Sequence, residues 1–550
     1  MFGFFKRKKD DENPLSDLKT VSRWMQELPA GDIYSAQEQV VQSLIQFNHA
    51  GLSMSRERLQ VLMHLDEHAR DMQFSLCGQY LRNPRMSKVI ESRLWTAIHA
   101  FYWEITRGYH AFLMDFVANP GGGRIQTAVP TIAARAIRGF ADIFKWRYFR
   151  YEKVEEKLWL RLHNLYRISE FDGFQNDSLK IYPGDAKLSS STAEYIQALL
   201  LSPLGVGSLT PKQVEMVDHW LDNWLDQTTL DSVYDPAHHF YLVDTSKGQG
   251  IRHLRAGGNE TTFRYLATDK VLEHLHQVER ALKSGAAPAT LGLGEEFRLP
   301  DGYDLLQYVA NEWAPASQRE RRTSPRQATE GRWEVLRDLP SICNRMYRES
   351  EIAGGRSPRQ TLSHEEILDI KLYGFVTDRT RTAAQDPANK PREVLLERWP
   401  LYDSSEAGLG IVLKGEESEW IKVGKLLALR MDPGDSWHIA IIRRLTRLEN
   451  NQRKVGLQTL NSTALLVNLE QEQDLGDATE DGGYGSPAPC MGLIFPDMEQ
   501  GNLLMLEPSR YAHGRIYRMV PTDSEQHYIR LESARDKGDG WLLTTFATVG

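Results

Sequence analysis

The apolar residues of this chain change their period once, and that change limits what it can fold into. From Pro14 to about Thr229 they recur at three- and four-residue steps, as in Leu18, Val21, Trp24, Met25 and Leu28, the spacing that lines one face of a helix. From Arg332 onward, short apolar and β-branched runs alternate with turn residues: RWEVL, ILDIKLYGFV, EVLLERWPLY, GLGIVLK, KLLALRM, WHIAIIRRLTRL, KVGLQTL and TALLVNL. That pattern predicts a small antiparallel barrel or sandwich. With 550 residues the chain exceeds what one hydrophobic core supports, so the two patterns belong to separate domains.

Within the helical part, Ser35 with Glu38, Ser191 with Glu194 and Thr210 with Gln213 read as capping boxes. Pro211 after Thr210 fits a first helical position, where no N–H is needed. The expected layout is a disordered tail over 1–13, a helical domain over 14–230 and a mixed connecting region over 231–316. A barrel follows over 317–470, with an insertion near 341–366 read as a polar surface excursion between two strands. The acidic, Gly-rich stretch 471–489 reads as a linker, and 490–550 supplies about five strands of a further β-rich module. No repeat of fixed period is visible, which argues against a solenoid.

Composition excludes several function classes. A net charge of −8 removes the broad attraction to phosphate backbone that a dedicated nucleic-acid binder needs, so an anionic ligand must meet a local arginine cluster. Cys77, Cys343 and Cys490 are far apart and form no CxxC, which argues against disulfides and zinc and fits a reducing cytoplasm. The apolar stretch from Leu94 to Ala118 carries Glu104, Arg107, His110 and Asp115 and cannot span a membrane. The start, MFGFFKRKKDDEN, is the reverse of a secretory signal.

Two segments of the β-rich half carry recognisable chemistry. QRERRTSPRQ holds Arg322 and Arg326 four apart, just before the first predicted strand. LYDSSEAGLGIVL holds Asp403, Ser405 and Gly408 in an Asp-x-Ser-x-x-Gly pattern leading into an apolar strand. A planar guanidinium can hold phosphate oxygens in pairs and can reach the O6 and N7 edge of guanine. An aspartate accepts from guanine N–H donors, a serine adds a polar contact, and a glycine lets backbone approach a ligand closely. These two segments, followed by the Trp-led strand WHIAIIRRL and by KVGLQTL, resemble the PilZ domain family. The resemblance implies a six-stranded barrel that binds the bacterial second messenger cyclic di-GMP. By the same resemblance, Arg322 and Arg326 would hold phosphate and guanine, and Asp403, Ser405 and Gly408 would form the barrel side of the pocket. Two departures stand out. Asp403 lies 77 positions after Arg326, where the family has a few tens, and Ala440 stands where glycine is common. A second arginine pair, Arg356 and Arg359, has the wrong spacing.

Other motifs carry less. His64, Glu67 and His68 spell an inverted zinc-protease pattern, but in a highly charged helix with no completing ligand. His274 and His276 are two apart and point to different sides of a helix, and His238 and His239 are too few for a metal site. No nucleophile sits in a recognisable signature, so neither catalysis nor a cofactor is expected. The expectation is a multidomain α + β chain: an all-helical domain, a PilZ-like antiparallel barrel and a C-terminal β-rich module. Its function would be that of a cytoplasmic bacterial cyclic di-GMP receptor with a protein partner on the helical domain. The alternative is an interaction scaffold whose barrel no longer binds nucleotide.

Overall fold

The computed structural model describes residues 13–315, apart from 51–53, 84–85, 206, 226–227, 255–256, 259 and 299–300. It also describes 327–549, apart from 354–376, 378–395, 406–407, 415–419, 449–451, 461–462, 472–488, 497–501 and 522–526. The chain forms two compact units, Met1–Arg321 and Arg322–Gly550.

The first unit opens with helices α1 (Leu18–Glu27), α2 (Ile33–His49), α3 (Arg56–Arg82) and α4 (Lys88–Ala118). They are followed by α5 (Val129–Tyr148), α6 (Glu156–Phe171), α7 (Ser191–Leu204) and α8 (Pro211–Trp224). The cap at Thr210 is a full capping box, but the other two starts lie elsewhere. Asp32, not Ser35, accepts the backbone N–H at the start of α2, and Ser190, one residue early, does so for α7. Each neighbouring polar side chain could cap, and the helix begins where packing places its first turn.

The stretch read as a connecting region is part of this unit's core. Strands β1 (Thr229–Asp231), β2 (His239–Asp244), β3 (Arg252–His253) and β4 (Phe263–Ala267) form a sheet in the order β1-β4-β2-β3. Helices α9 (Asp269–Lys283) and α10 (Asp301–Trp313) follow. Tyr241, Val243, Leu266, Leu275 and Trp313 lie in one apolar cluster with residues of the eight preceding helices. Among the described residues, no helix is long and apolar enough to cross a membrane.

The second unit is two closed six-stranded barrels. The first comprises β5 (Gln327–Arg337), β6 (Glu397–Ser405), β7 (Gly408–Lys414), β8 (Leu426–Arg430), β9 (His438–Arg447) and β10 (Gln452–Thr459). The second comprises β11 (Leu465–Gln471), β12 (Cys490–Phe495), β13 (Leu503–Leu506), β14 (Ile516–Pro521), β15 (His527–Gly538) and β16 (Trp541–Val549). With strands counted in chain order, both barrels close in the same cyclic order, 1-2-3-6-5-4. The run TALLVNL, read as the end of the first barrel, supplies β11 and pairs with β12 and β14 in the second. A periodic pattern marks a strand but does not name its partner.

The insertion also departs from expectation. Its first part is helix α11 (Leu339–Ala353), whose Leu339, Ile342 and Cys343 are buried, rather than a polar surface excursion. These side chains share a core with Ile439 and Ile441 of the first barrel and with Leu493, Met505 and Trp541 of the second. The Trp541 indole N–H also donates to Gly424 O at 2.8 Å, fastening one barrel to the other. ILDIKLYGFV and the acidic linker fall largely or wholly outside the described residues.

Candidate functional site

The Asp-x-Ser-x-x-Gly segment spans the end of β6 and the start of β7. Along β6, Trp399 and Leu401 point into the barrel, and Leu401 pairs with the buried Ile411 of β7. The register then slips between Leu401 and Asp403, so that Asp403 pairs with Gly410. An extra residue in one strand turns the following side chain to the other face. Asp403 is thereby turned to the Gly410 side of the sheet, away from the buried Leu409 and Ile411, and is itself only 9% exposed, whereas its neighbour Tyr402 is 57% exposed. Its carboxylate lies over Gly410 so closely that a Cβ there would sit 2.2 Å from Asp403 Oδ1.

Ser405 closes the turn, its Oγ donating to Gly408 O at 3.2 Å, which leaves the hydroxyl's lone pairs as acceptors. A Cβ on Gly408 would stand 2.6 Å from Leu457 O, so glycine is required there by the neighbouring strand's backbone. Asp403, Ser405 and Gly408 are therefore together at one end of the first barrel. Arg322 and Arg326 lie outside the described residues, as do Arg356 and Arg359.

The row containing Asp403 continues across the sheet. Gly410 pairs with Gly456 of β10, and Gly456 pairs with Arg444 of β9. Arg444 is exposed and its Cβ lies 3.1 Å from where a Gly456 Cβ would be. The sequence reading passed over Gly410, Gly456 and Arg444, although a glycine inside an apolar strand run, as in GLGIVLK and KVGLQTL, is the signal of a bulge or a close approach.

On the other side of the barrel, Arg430 donates from Nε to Glu334 at 2.9 Å and from Nη1 to Glu349 at 3.0 Å, with its guanidinium 4.2 Å from the Trp437 ring centroid. Burial pushes the Glu349 carboxyl up, but hydrogen bonds from Trp437 and Arg345 and the charge of Arg430 outweigh it and hold the group below its ordinary range. This cluster ties α11 to the barrel. Burial pushes the Cys343 thiol up to about 12, which leaves it unreactive.

His64 is not placed for metal chelation: its Nε2 is 3.0 Å from Ser22 Oγ, while Glu67 accepts from Arg135 at 2.5 Å. Among the described residues, no group of three His, Cys, Asp or Glu could hold a metal ion.

Residues 356–465 match the family model described as "Cyclic-di-GMP receptor FimW, middle PilZ domain", a span that runs from within the insertion through β10 to the start of β11. The first barrel is a PilZ-like fold. Residues 19–236 match "Cyclic-di-GMP receptor FimW, N-terminal domain", so the helical region, in which the sequence alone named no family, is a domain of a described type. The chain is similar to the cyclic-di-GMP receptor FimW of Pseudomonas aeruginosa, 21% identical over 495 residues, covering 82% of this chain and 78% of that protein. No solved structure gives a significant match. The strand β5 that opens the PilZ-like barrel precedes the matched segment, with α11 between them. This helix accounts for part of the long separation between the two sequence motifs.

Proposed function

We propose that this chain is a cytoplasmic receptor for cyclic di-GMP, and not an enzyme, and that the ligand is taken up against the outer face of the PilZ-like barrel by Arg322, Arg326, Asp403, Ser405 and Gly408. The reading rests on one observation above others. Strand β5 begins with Gln327 opposite Ser404 and Ala328 opposite Asp403. Consecutive Cα atoms are about 3.8 Å apart, so Arg326 is tethered within a residue or two of the Asp-Ser-Gly segment. An insertion after β5 lengthens the sequence between the two motifs without separating their ends in space.

The ligand's two phosphates and two guanines suit the residues proposed. Arginine forks would take phosphate oxygens and guanine edges, and Asp403 would accept from guanine N–H groups. The names of the matching family models and of the similar protein support this ligand. The segment 316–326 joins the two units, so arginines that close over the ligand would order it and re-aim the helical domain. A protein partner on that domain would read the change.

Calorimetric titration of the full chain with cyclic di-GMP tests the proposal, with Arg326→Ala and Asp403→Ala as variants. Binding by the wild type and a loss of about ten-fold or more in each variant is expected, since a charge-assisted contact contributes ~1.5–3 kcal/mol. No heat with wild type would return the chain to the scaffold reading. The coupling is tested separately by protease cleavage near Arg322 and by small-angle scattering with and without ligand; no change in either removes it.

A further inference from the structure

Asp403, Gly410, Gly456 and Arg444 form a continuous cross-strand row over β6, β7, β10 and β9. Both charged ends reach this row through register slips, one between Leu401 and Asp403 and one beside Gly456 that skips Arg443. Between them the Asp403 carboxylate covers Gly410, and Gly456 is left without a side chain above it. Along a flat sheet the ends of such a row would be about 14 Å apart, which barrel curvature shortens.

Local backbone geometry does not account for all the glycines in this floor. Gly408, Gly410 and Gly456 are not among the positive-φ residues. Gly408 is imposed by Leu457 O and Gly410 by the Asp403 carboxylate, but the nearest atom to a Cβ on Gly456 would be Arg444 Cβ at 3.1 Å, with no opposing backbone closer than 3.9 Å. Nor does barrel closure require them. In the second barrel, closed in the same cyclic order, the corresponding strands β13 and β16 read LLML and WLLTTFATV and contain no glycine.

We propose that Arg444 is a guanine-specificity residue of the receptor site: one base lies flat over Gly456, with the Asp403 carboxylate above Gly410 at its N1/N2 edge and Arg444 at its O6/N7 edge. This rests on the receptor reading above. Guanine carries donors on the first edge and two acceptors on the second, so an acid and an arginine at opposite ends of one floor match it. Adenine carries an amino donor beside N7 and no N2 amino group, so it meets Arg444 with a repelling donor and offers Asp403 less. A flat base also needs an unsubstituted Cα beneath it, which gives Gly456 a reason to be glycine.

The test is calorimetric titration of the full chain with cyclic di-GMP and, separately, cyclic di-AMP, on wild type, Arg444→Ala, Arg444→Lys, Gly456→Ala and Asp403→Ala, with melting temperatures recorded for each. Arg444→Ala should lose about ten-fold in affinity for cyclic di-GMP, with a much smaller change for cyclic di-AMP, so that the preference between them narrows. Arg444→Lys should recover only part of the loss, because a point charge cannot hold both acceptors as a fork does. Gly456→Ala should weaken binding by more than its change in melting temperature accounts for, since the new Cβ displaces Arg444 by only a few tenths of an ångström but fills the space under the base. If wild type binds, Asp403→Ala does not, and the Arg444 and Gly456 variants bind as wild type, the inference fails and the receptor reading stands. Equal loss of both ligands in Arg444→Ala would reduce Arg444 to general attraction and also overturn it. No binding by wild type would overturn both.

Discussion

Asp222 shows what single residues contribute in the helical unit. Helix α5 presents Arg135, Arg138, Asp142 and Lys145 along one stripe, and its three cations are answered from neighbouring elements: Arg135 by Glu67 and Tyr109, Arg138 by Glu194 and Asp185, Lys145 by Asp218 and Glu215. Gln197 then bridges Asp218 and Asp222, at 2.6 and 3.0 Å. Burial, with the charges of Asp218 and Glu194 adding to it, pushes Asp222 up to about 7, and burial likewise pushes Asp142 up to about 6. The folded chain then holds protons that the unfolded chain has released above its ordinary carboxylate value near 4, so these groups lower stability as pH rises from about 4 to 7. His163 works against them. Burial holds it neutral down to about 4, which favours the folded state as pH rises through ~4 to ~6.5. The difference between a variant and wild type isolates one group from the other. Asp222→Asn, which keeps the neutral shape, should gain stability relative to wild type as pH goes from 5 to 8. Urea unfolding of the helical unit at both pH values checks this, and an equal difference at the two would contradict the assignment.

At the scale of elements, the two barrels and α11 should behave as one packed body. Ile342 is fully buried in a core that also holds Ile439, Leu493 and Trp541. Ile342→Ala should cost ~2–5 kcal/mol and lower one shared barrel transition instead of splitting it, as followed by calorimetry. Gly410→Ala makes a contrasting case. The new Cβ would displace the Asp403 carboxylate, so ligand affinity should fall well before stability does, measured by titration beside a melting curve. The elements also show what was legible in the sequence. Strands β6 to β10 and β12 to β16 follow from alternation and turn residues, and the Asp403–Gly408 turn follows from its motif. α11 was hidden because its buried face is only Leu339, Ile342 and Cys343 among polar residues. The position of β11 was illegible because five residues separate it from β10, a length that allows either barrel. The turn of Asp403 toward Gly410 depends on a register slip, and such slips leave no periodic trace in sequence.

At the scale of the whole molecule, each unit has a core of its own. The helical unit's cluster runs from Leu15 to Trp313, and the barrel unit's clusters lie between Leu336 and Phe546. Separate cores give separate cooperative transitions, and a ligand stabilises the unit that binds it. In differential scanning calorimetry the chain should therefore show two transitions. Cyclic di-GMP at about a hundred times its dissociation constant should stabilise the barrel transition by ~2.7 kcal/mol, leaving the helical transition as an internal reference. Asp403→Ala should abolish that shift without moving the helical transition. A ligand-induced shift of the helical transition alone would place the binding site in the wrong unit. A shift of both would mean that the joining segment, once ordered, adds contacts to the helical domain, and the size of that second shift would measure the coupling in free energy rather than in distance.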